Sequence, residues 1–104
     1  MVAFKIVLAQ SAEQDLNAIL DYIGMQLKEP KTAIEQYNRI KEKILSLSDM
    51  PTRICLVNDH YLAVKGYRKM LVDNYIIFFR LNEQDTTVEI VRIVHGKRNW
   101  VDIL

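Results

Sequence analysis

Basic side chains are concentrated in the second half of this sequence. Six of the eight lysines and arginines after residue 50 fall in two short windows, residues 65–69 and 92–98, and neither window contains an acidic residue. Tyr67 and Trp100 place aromatic rings beside these cations. Arginine binds a phosphate through two parallel hydrogen bonds, and aromatic rings stack on unpaired bases. The pattern therefore indicates a surface for a nucleic acid or for the ribosome.

A purely structural interpretation of the same residues stays open. In this alternative, Tyr67 and Trp100 pack under the edge of a sheet, and Arg92 forms an internal salt bridge. The two interpretations differ in geometry, because a functional patch requires the cations to converge on one exposed surface. The fold must therefore decide between them.

Other chemistry finds little support in the sequence. There is no glycine-rich phosphate loop and no nucleophile elbow, and Cys55, His60 and His95 lack the spacing of a zinc site. We therefore expect neither a metal nor a cofactor. Glu13 and Asp15 stand at the start of a predicted helix, where acids usually serve capping and solvation, so we assign them no function.

Hydrophobic periodicity predicts the elements that position the basic residues. Ser11 with Gln14, and Thr32 with Glu35, have the spacing of helix capping boxes. The predicted elements are a strand over Ala3–Leu8, a helix from Ser11 to Glu29, a helix from Pro30 or Thr32 to Leu47, and strands over Tyr67–Val72, Tyr75–Leu81 and Thr87–His95. The order β-α-α-β-β-β predicts one α+β domain over residues 1–104, with a helical hairpin packed on one face of an antiparallel sheet.

The last two strands carry apolar residues on both sides, which predicts that the second face of the sheet is also partly covered. In the register that we expect, Arg80 lies opposite Val88 and Arg92 lies opposite Ile76. Both arginines then point to the same face as Val88. A charged side chain in that position must be paired or must face a groove.

Composition restricts the cellular setting. The 14 basic and 13 acidic side chains give a net charge of +1, which argues against bulk attraction to polyanions. A single cysteine cannot close an intramolecular disulfide, which favours a reducing compartment. The longest apolar run, Tyr75–Phe79, is far shorter than the ~20 residues of a membrane-spanning helix. We therefore expect a cytoplasmic protein with no membrane partner.

Two segments of the chain resemble a known family. They resemble the C-terminal half of RelE/ParE-superfamily toxins of type II toxin-antitoxin modules. The first is the strand, turn and strand of Tyr67–Arg80, and the second is Val88–Asn99. The helical hairpin before them fits as well, so the resemblance covers nearly the whole chain, and Ile93–Arg98 is its most specific piece. It implies a small α+β toxin that a cognate antitoxin wraps and inactivates. DNA would then be bound only indirectly, through the antitoxin.

The superfamily divides by target. RelE-like members cleave mRNA in the ribosomal A site without a metal, whereas ParE-like members poison DNA gyrase and are not known as nucleases. We predict a ribosome-dependent mRNA endonuclease. A gyrase inhibitor and a non-toxic binding module with the same fold remain the alternatives.

The roles that a RelE-like resemblance implies fall on cationic side chains of the C-terminal half. The catalytic set, which would hold phosphates, support the transition state and move a proton, comprises Arg68, Lys69, Arg92, His95 and Arg98. The flanking set, which would bind RNA, comprises Lys65, Arg80, Lys97 and Trp100.

Two positions depart from the RelE-like pattern. Ile76 stands where an arginine is expected after the turn, and the position of a late tyrosine falls near Leu104. Arg92, expected across from Ile76, could supply the missing guanidinium, and His95 could act as acid or base near neutral pH. The series Arg92, His95 and Arg98 is also similar to ParE-like endings.

Overall fold

The computed structural model describes residues 3–96 and Leu104. Its order of helices and strands confirms the predicted α+β fold class. A π-helical turn, Tyr22–Gln26, extends the first helix, and short 3₁₀ turns cover Ser46–Ser48 and Pro51–Arg53. The main elements are β1 (Lys5–Leu8), α1 (Gln10–Asp21), α2 (Pro30–Leu45), α3 (His60–Val64), β2 (Arg68–Val72), β3 (Tyr75–Asn82) and β4 (Thr87–His95).

The four strands form one sheet in the order β1-β4-β3-β2. Strands β2, β3 and β4 are an antiparallel meander, as predicted, but β1 runs parallel to β4, so the prediction of a wholly antiparallel sheet is wrong. No hairpin turn links β1 to β4, so turn geometry does not fix their relative direction. In the parallel register Ile6 lies opposite Val88 and Leu8 opposite Ile90, and all four side chains belong to the same core.

The helical hairpin packs on one face of this sheet. Apolar residues at helical spacing form the stripes of α1 and α2, and each fully buried aliphatic or aromatic side chain stabilises the fold by roughly 1.5–3 kcal/mol. This first core is made by Ala12, Leu16, Ile40, Ile44 and Leu47 from the helical side, and Met70, Val72, Ile77, Phe79, Val88, Ile90 and Ile93 from the sheet.

The predicted side-chain caps of the two long helices are wrong. Helix α1 begins one residue early, at Gln10, with Ala9 as its N-cap, and no side chain caps it. Helix α2 begins at Pro30, whose fixed φ and missing N–H suit the first turn, so a Thr32 cap is not needed. The residue before the proline, Glu29, has φ −125° and ψ 68°, outside the helical region that Pro30 disfavours.

The second face of the sheet is partly covered, as predicted. Its cover comes from the segment after Pro51, where no helix or strand was predicted and the structure contains the short helix α3. This second core consists of Val57, Leu62, Tyr67, Ile76, Phe78 and Val94, with the terminal Leu104 packed against it. Between residues 3 and 96 there is no helix of the length and apolar character needed to cross a membrane.

Helix α3 depends on one side-chain cap. The Asp59 carboxylate accepts a hydrogen bond of 3.0 Å from the Leu62 N–H. We expect Asp59→Ala to lower the free energy of unfolding by about 1 kcal/mol, because that N–H loses its acceptor. Amide hydrogen exchange should rise selectively in residues 60–66, and uniform loss of protection across the sheet would contradict the prediction.

Candidate functional site

The pairing of β3 with β4 differs from the predicted register. Arg80 lies opposite Glu89, and Arg92 lies opposite Phe78, because the ladder shifts at a bulge where Val91 has no partner. A one-residue offset turns side chains to the other face of a strand. Arg80 consequently does not share the face of Val88, and the predicted proximity of Arg92 to Ile76 is wrong.

Arg92 forms an ion pair inside the molecule. Its Nε and Nη2 donate hydrogen bonds of 2.7 and 2.9 Å to the carboxylate of Asp15 on α1. The Ile93 N–H donates a third, of 2.9 Å, to the same carboxylate. The two side chains are only 24% and 16% exposed, and the hydrogen bond to Asp15 raises the pKa of Arg92. The internal salt bridge that the structural interpretation expects of Arg92 is therefore present.

Arg68 and Lys69 point to opposite faces of β2. Arg68 lies opposite Phe79 of the first core, and its Nη1 donates a hydrogen bond to the Ile54 carbonyl. Lys69 lies opposite Phe78 of the second core. Because successive side chains of a strand alternate, these two cations cannot hold the same phosphate from one face.

Two further cations of the predicted site, Lys65 and Arg80, each contact an aromatic ring. Lys65 follows α3, and its Nζ lies 4.2 Å from the centre of the Tyr61 ring. The Arg80 guanidinium lies 5.2 Å from the centre of the Tyr67 ring. Such cation–π contacts contribute about 0.5–1 kcal/mol at exposed sites. Lys65 and Arg80 are both exposed, so they remain available to a partner on the second face of the sheet.

His95 lies at the end of β4, opposite Tyr75. Their rings meet edge to face, with centroids 5.6 Å apart and an angle of 78° between the planes. Burial raises the pKa of the Tyr75 phenol, and the nearby Tyr22 adds to this effect. His95 thus lies at the opposite end of the β3–β4 ladder from Arg80, and it lines a cleft between the helical hairpin and the sheet.

This cleft has a volume of about 680 Å³. Helix α1 and its π-helical turn form one wall, and the ends of β3 and β4 form the other. Its ionisable groups other than tyrosine are Asp15, which is paired with Arg92, and His95. The lining residues are Asp15, Ala18, Ile19, Tyr22, Ile23, Leu27, Thr32, Gln36, Asn74, Tyr75, Ile93, Val94 and His95.

The candidate cations among the described residues do not all share one surface. Arg92 is paired with Asp15 and Arg68 lies on the first face, whereas Lys65, Lys69 and Arg80 lie on the second face. The other candidates, Lys97, Arg98 and Trp100, lie outside the described residues. Within that described part of the chain, no group of three or more His, Cys, Asp or Glu side chains is placed to hold a metal ion.

Sequence reasoning missed Asp15 as a functional candidate. The signal was nevertheless present, because Asp15 falls between Ala12 and Ile19, at the spacing of the apolar stripe of α1. An acid within such a stripe must find a buried partner. The spacing of Asp15 alone did not indicate which basic residue would be its partner.

The Tyr75 phenol gives the cleft a spectroscopic signature. Since its pKa is raised on folding, its stabilising contribution is complete below about pH 10 and is lost as the pH rises through the raised value. We expect tyrosinate absorbance to show one late-titrating phenol, which Tyr75→Phe removes together with part of the alkaline loss of stability. A Tyr75→Phe titration that retained the late step would contradict this.

Residues 6–100 match the family model described as ParE toxin of type II toxin-antitoxin system, parDE. That match spans the helical hairpin, the cleft and all of β2, β3 and β4. No curated protein matches the sequence.

Solved structures share the fold at low sequence identity. A chain of the chromosomal ParDE system from P. aeruginosa is 21% identical, with a TM-score of 0.75 over 91% of this chain and 98% of that one. A chain of the toxin-antitoxin complex RelBE2 from Mycobacterium tuberculosis is 21% identical, with a TM-score of 0.65 over 91% and 93%. A mutant of the E. coli toxin RelE in the free state is 11% identical, with a TM-score of 0.67 over 98% and 93%.

The resemblance to RelE/ParE-superfamily toxins is thereby confirmed from two independent directions, the sequence model and the fold. The chain belongs to the family of ParE toxins of type II toxin-antitoxin systems.

Proposed function

We propose that this protein arrests growth by poisoning DNA gyrase, the action that its resemblance to ParE-like toxins implies, and that an antitoxin neutralises it. The observation that carries the choice of target is the Asp15–Arg92 ion pair. Metal-free RNA cleavage needs several cations around one phosphate and a group that moves a proton. Arg92 already has two of its donor nitrogens committed to Asp15, which favours a toxin that binds its target over one that cuts RNA.

The ribosome-dependent mRNA endonuclease stays a prediction and is the competing outcome of the test. Arg98, which that mechanism would use to hold a phosphate, lies outside the described residues. Both targets are cytoplasmic, so the cytoplasm is where we expect the protein to act.

We further propose that the antitoxin places an apolar segment in the cleft between the helical hairpin and the sheet. The chemistry of the lining supports an uncharged occupant, because Asp15 is already paired and most lining residues are apolar. A charged side chain entering there would lose its hydration without gaining a partner. Solved ParDE and RelBE structures with this fold are themselves toxin-antitoxin systems, which is consistent with a protein partner.

Expression of the chain alone under tight control tests the proposed target. A gyrase poison should produce gyrase-linked DNA damage in the arrested cells and inhibit supercoiling by purified gyrase, with mRNA left intact. Transcripts cut within codons, reproduced by purified ribosomes, would replace this proposal with the endonuclease. Unimpaired growth without any antitoxin would indicate a non-toxic binding module.

A further inference from the structure

Two carboxylates join the helical layer to the sheet beside the cleft. Asp15 on α1 binds Arg92 and the Ile93 N–H of β4. Asp73, in the turn between β2 and β3, accepts hydrogen bonds from Gln36 and Arg39 of α2. Asp15 and Gln36 also line the cleft, so each connection stands directly at its wall.

The two connections differ in strength. In the Asp73 pair the Arg39 side chain is 63% exposed, and exposed ion pairs contribute little. The Asp15 pair is shielded from water, and three donors from β4 converge on one carboxylate. Hydrogen bonds to a charged acceptor are roughly twice as strong as neutral ones. The Asp15 connection is therefore the stronger of these two polar links between the helical layer and the sheet.

The location of this link is as informative as its strength. Asp15 binds the two residues that directly follow the bulge at Val91, where the β3–β4 ladder is interrupted. Bulges bend a strand and redirect the side chains beyond them. By holding Arg92 and Ile93, the carboxylate fixes the direction of the last residues of β4, which include the cleft residues Val94 and His95.

We infer that Asp15 is a positioning residue for partner binding, which holds the β4 wall of the cleft in place before the partner arrives. This inference rests on the proposed antitoxin site. Val94 and His95 line the cleft directly after the two residues that Asp15 binds. Without that carboxylate, the strand beyond the bulge is no longer held in its direction. A wall that is already ordered binds its partner without the cost of being ordered first.

The test compares Asp15→Asn with the wild-type protein, using as probe the purified antitoxin encoded by the neighbouring reading frame. The asparagine carbonyl can still accept the Ile93 N–H but carries no charge to hold Arg92. We expect the dissociation constant to rise about tenfold, mainly through slower association, because a β4 wall that is no longer held must be ordered when the partner binds. Glu13→Gln, an exposed acid on the same helix, is the matched control and should bind like the wild type.

The affinity for the antitoxin distinguishes a positioning role of Asp15 from a purely stabilising role. A role confined to stability lowers the melting temperature but leaves the affinity of the folded protein unchanged. Asp15→Asn binding within twofold of the wild type, measured where both are folded, would overturn the inference. Asp15→Glu keeps the charge and should recover most of the affinity. If Asp15→Asn does not fold, Arg92→Gln breaks the same ion pair and takes its place, and binding within twofold of the wild type would again overturn the inference. Failure of the wild type to bind the antitoxin would instead reject the proposed function, and the inference with it.

Discussion

Ala18→Trp is expected to abolish neutralisation by the antitoxin while the toxin stays folded. Ala18 lies on the wall of the cleft, and its side chain is exposed, so an indole can be added without entering the core. The indole would occupy space that the proposed apolar segment of the antitoxin needs. We expect the dissociation constant for the antitoxin to rise at least about a hundredfold, equivalent to roughly 2.7 kcal/mol.

The neighbouring position supplies the control for this prediction. Asn17 is exposed on the same helix and does not line the cleft, so Asn17→Trp adds the same bulk outside the site. Calorimetry with the purified antitoxin, and growth of cells that express both proteins, should separate the two variants. Equal binding of Ala18→Trp and Asn17→Trp would place the antitoxin elsewhere on the molecule.

Arg92→Ala is expected to destabilise the fold more than the loss of any other arginine in residues 3–96. It leaves the Asp15 carboxylate, 16% exposed, with the Ile93 N–H as its remaining donor among the three contacts described above. Removing one partner of a fully buried ion pair costs 3–5 kcal/mol, and partial exposure reduces this to about 2–3 kcal/mol here. Urea denaturation measures this loss directly.

Two further variants make the Arg92 prediction specific. Arg80→Ala removes an exposed guanidinium that rests on Tyr67, and should cost less than about 1 kcal/mol. Adding Asp15→Ala to Arg92→Ala should recover part of the stability, because the unpaired carboxylate is gone and coupled residues are not additive. A loss below about 1 kcal/mol for Arg92→Ala would mean that the pair contributes no more than a surface salt bridge.

The same variant bears on the target. Under the endonuclease hypothesis Arg92 supports the transition state. Folded Arg92→Ala protein would then cleave RNA more slowly than the same amount of folded wild-type protein. Under the proposed function, growth arrest should decline only as far as the folded population declines. Growth arrest measured beside folded yield, at a temperature where the variant remains folded, distinguishes the two.

Local pattern determined most of the architecture of this protein. Apolar residues at helical spacing produced α1 and α2, and Pro30 separated them, because a proline excludes helix from the residue before it. Consecutive buried residues such as Phe78 and Phe79 indicated a sheet covered on both faces, and the second core under α3 confirms this. These features depend on neighbours in sequence, so the sequence by itself was sufficient to predict them.

The partners of the charged residues were decided by the tertiary structure. Asp15 and Arg92 are 77 residues apart, and they meet because α1 crosses the sheet beside the bulge at Val91. The exact register of β3 on β4 depends on one bulged residue, and a one-residue offset reverses which face a side chain occupies. Periodicity specifies which faces are apolar, whereas the meeting of distant charges depends on how the layers are stacked. That stacking pairs Arg92, which the sequence analysis placed in the catalytic set, with Asp15 at the wall of the cleft.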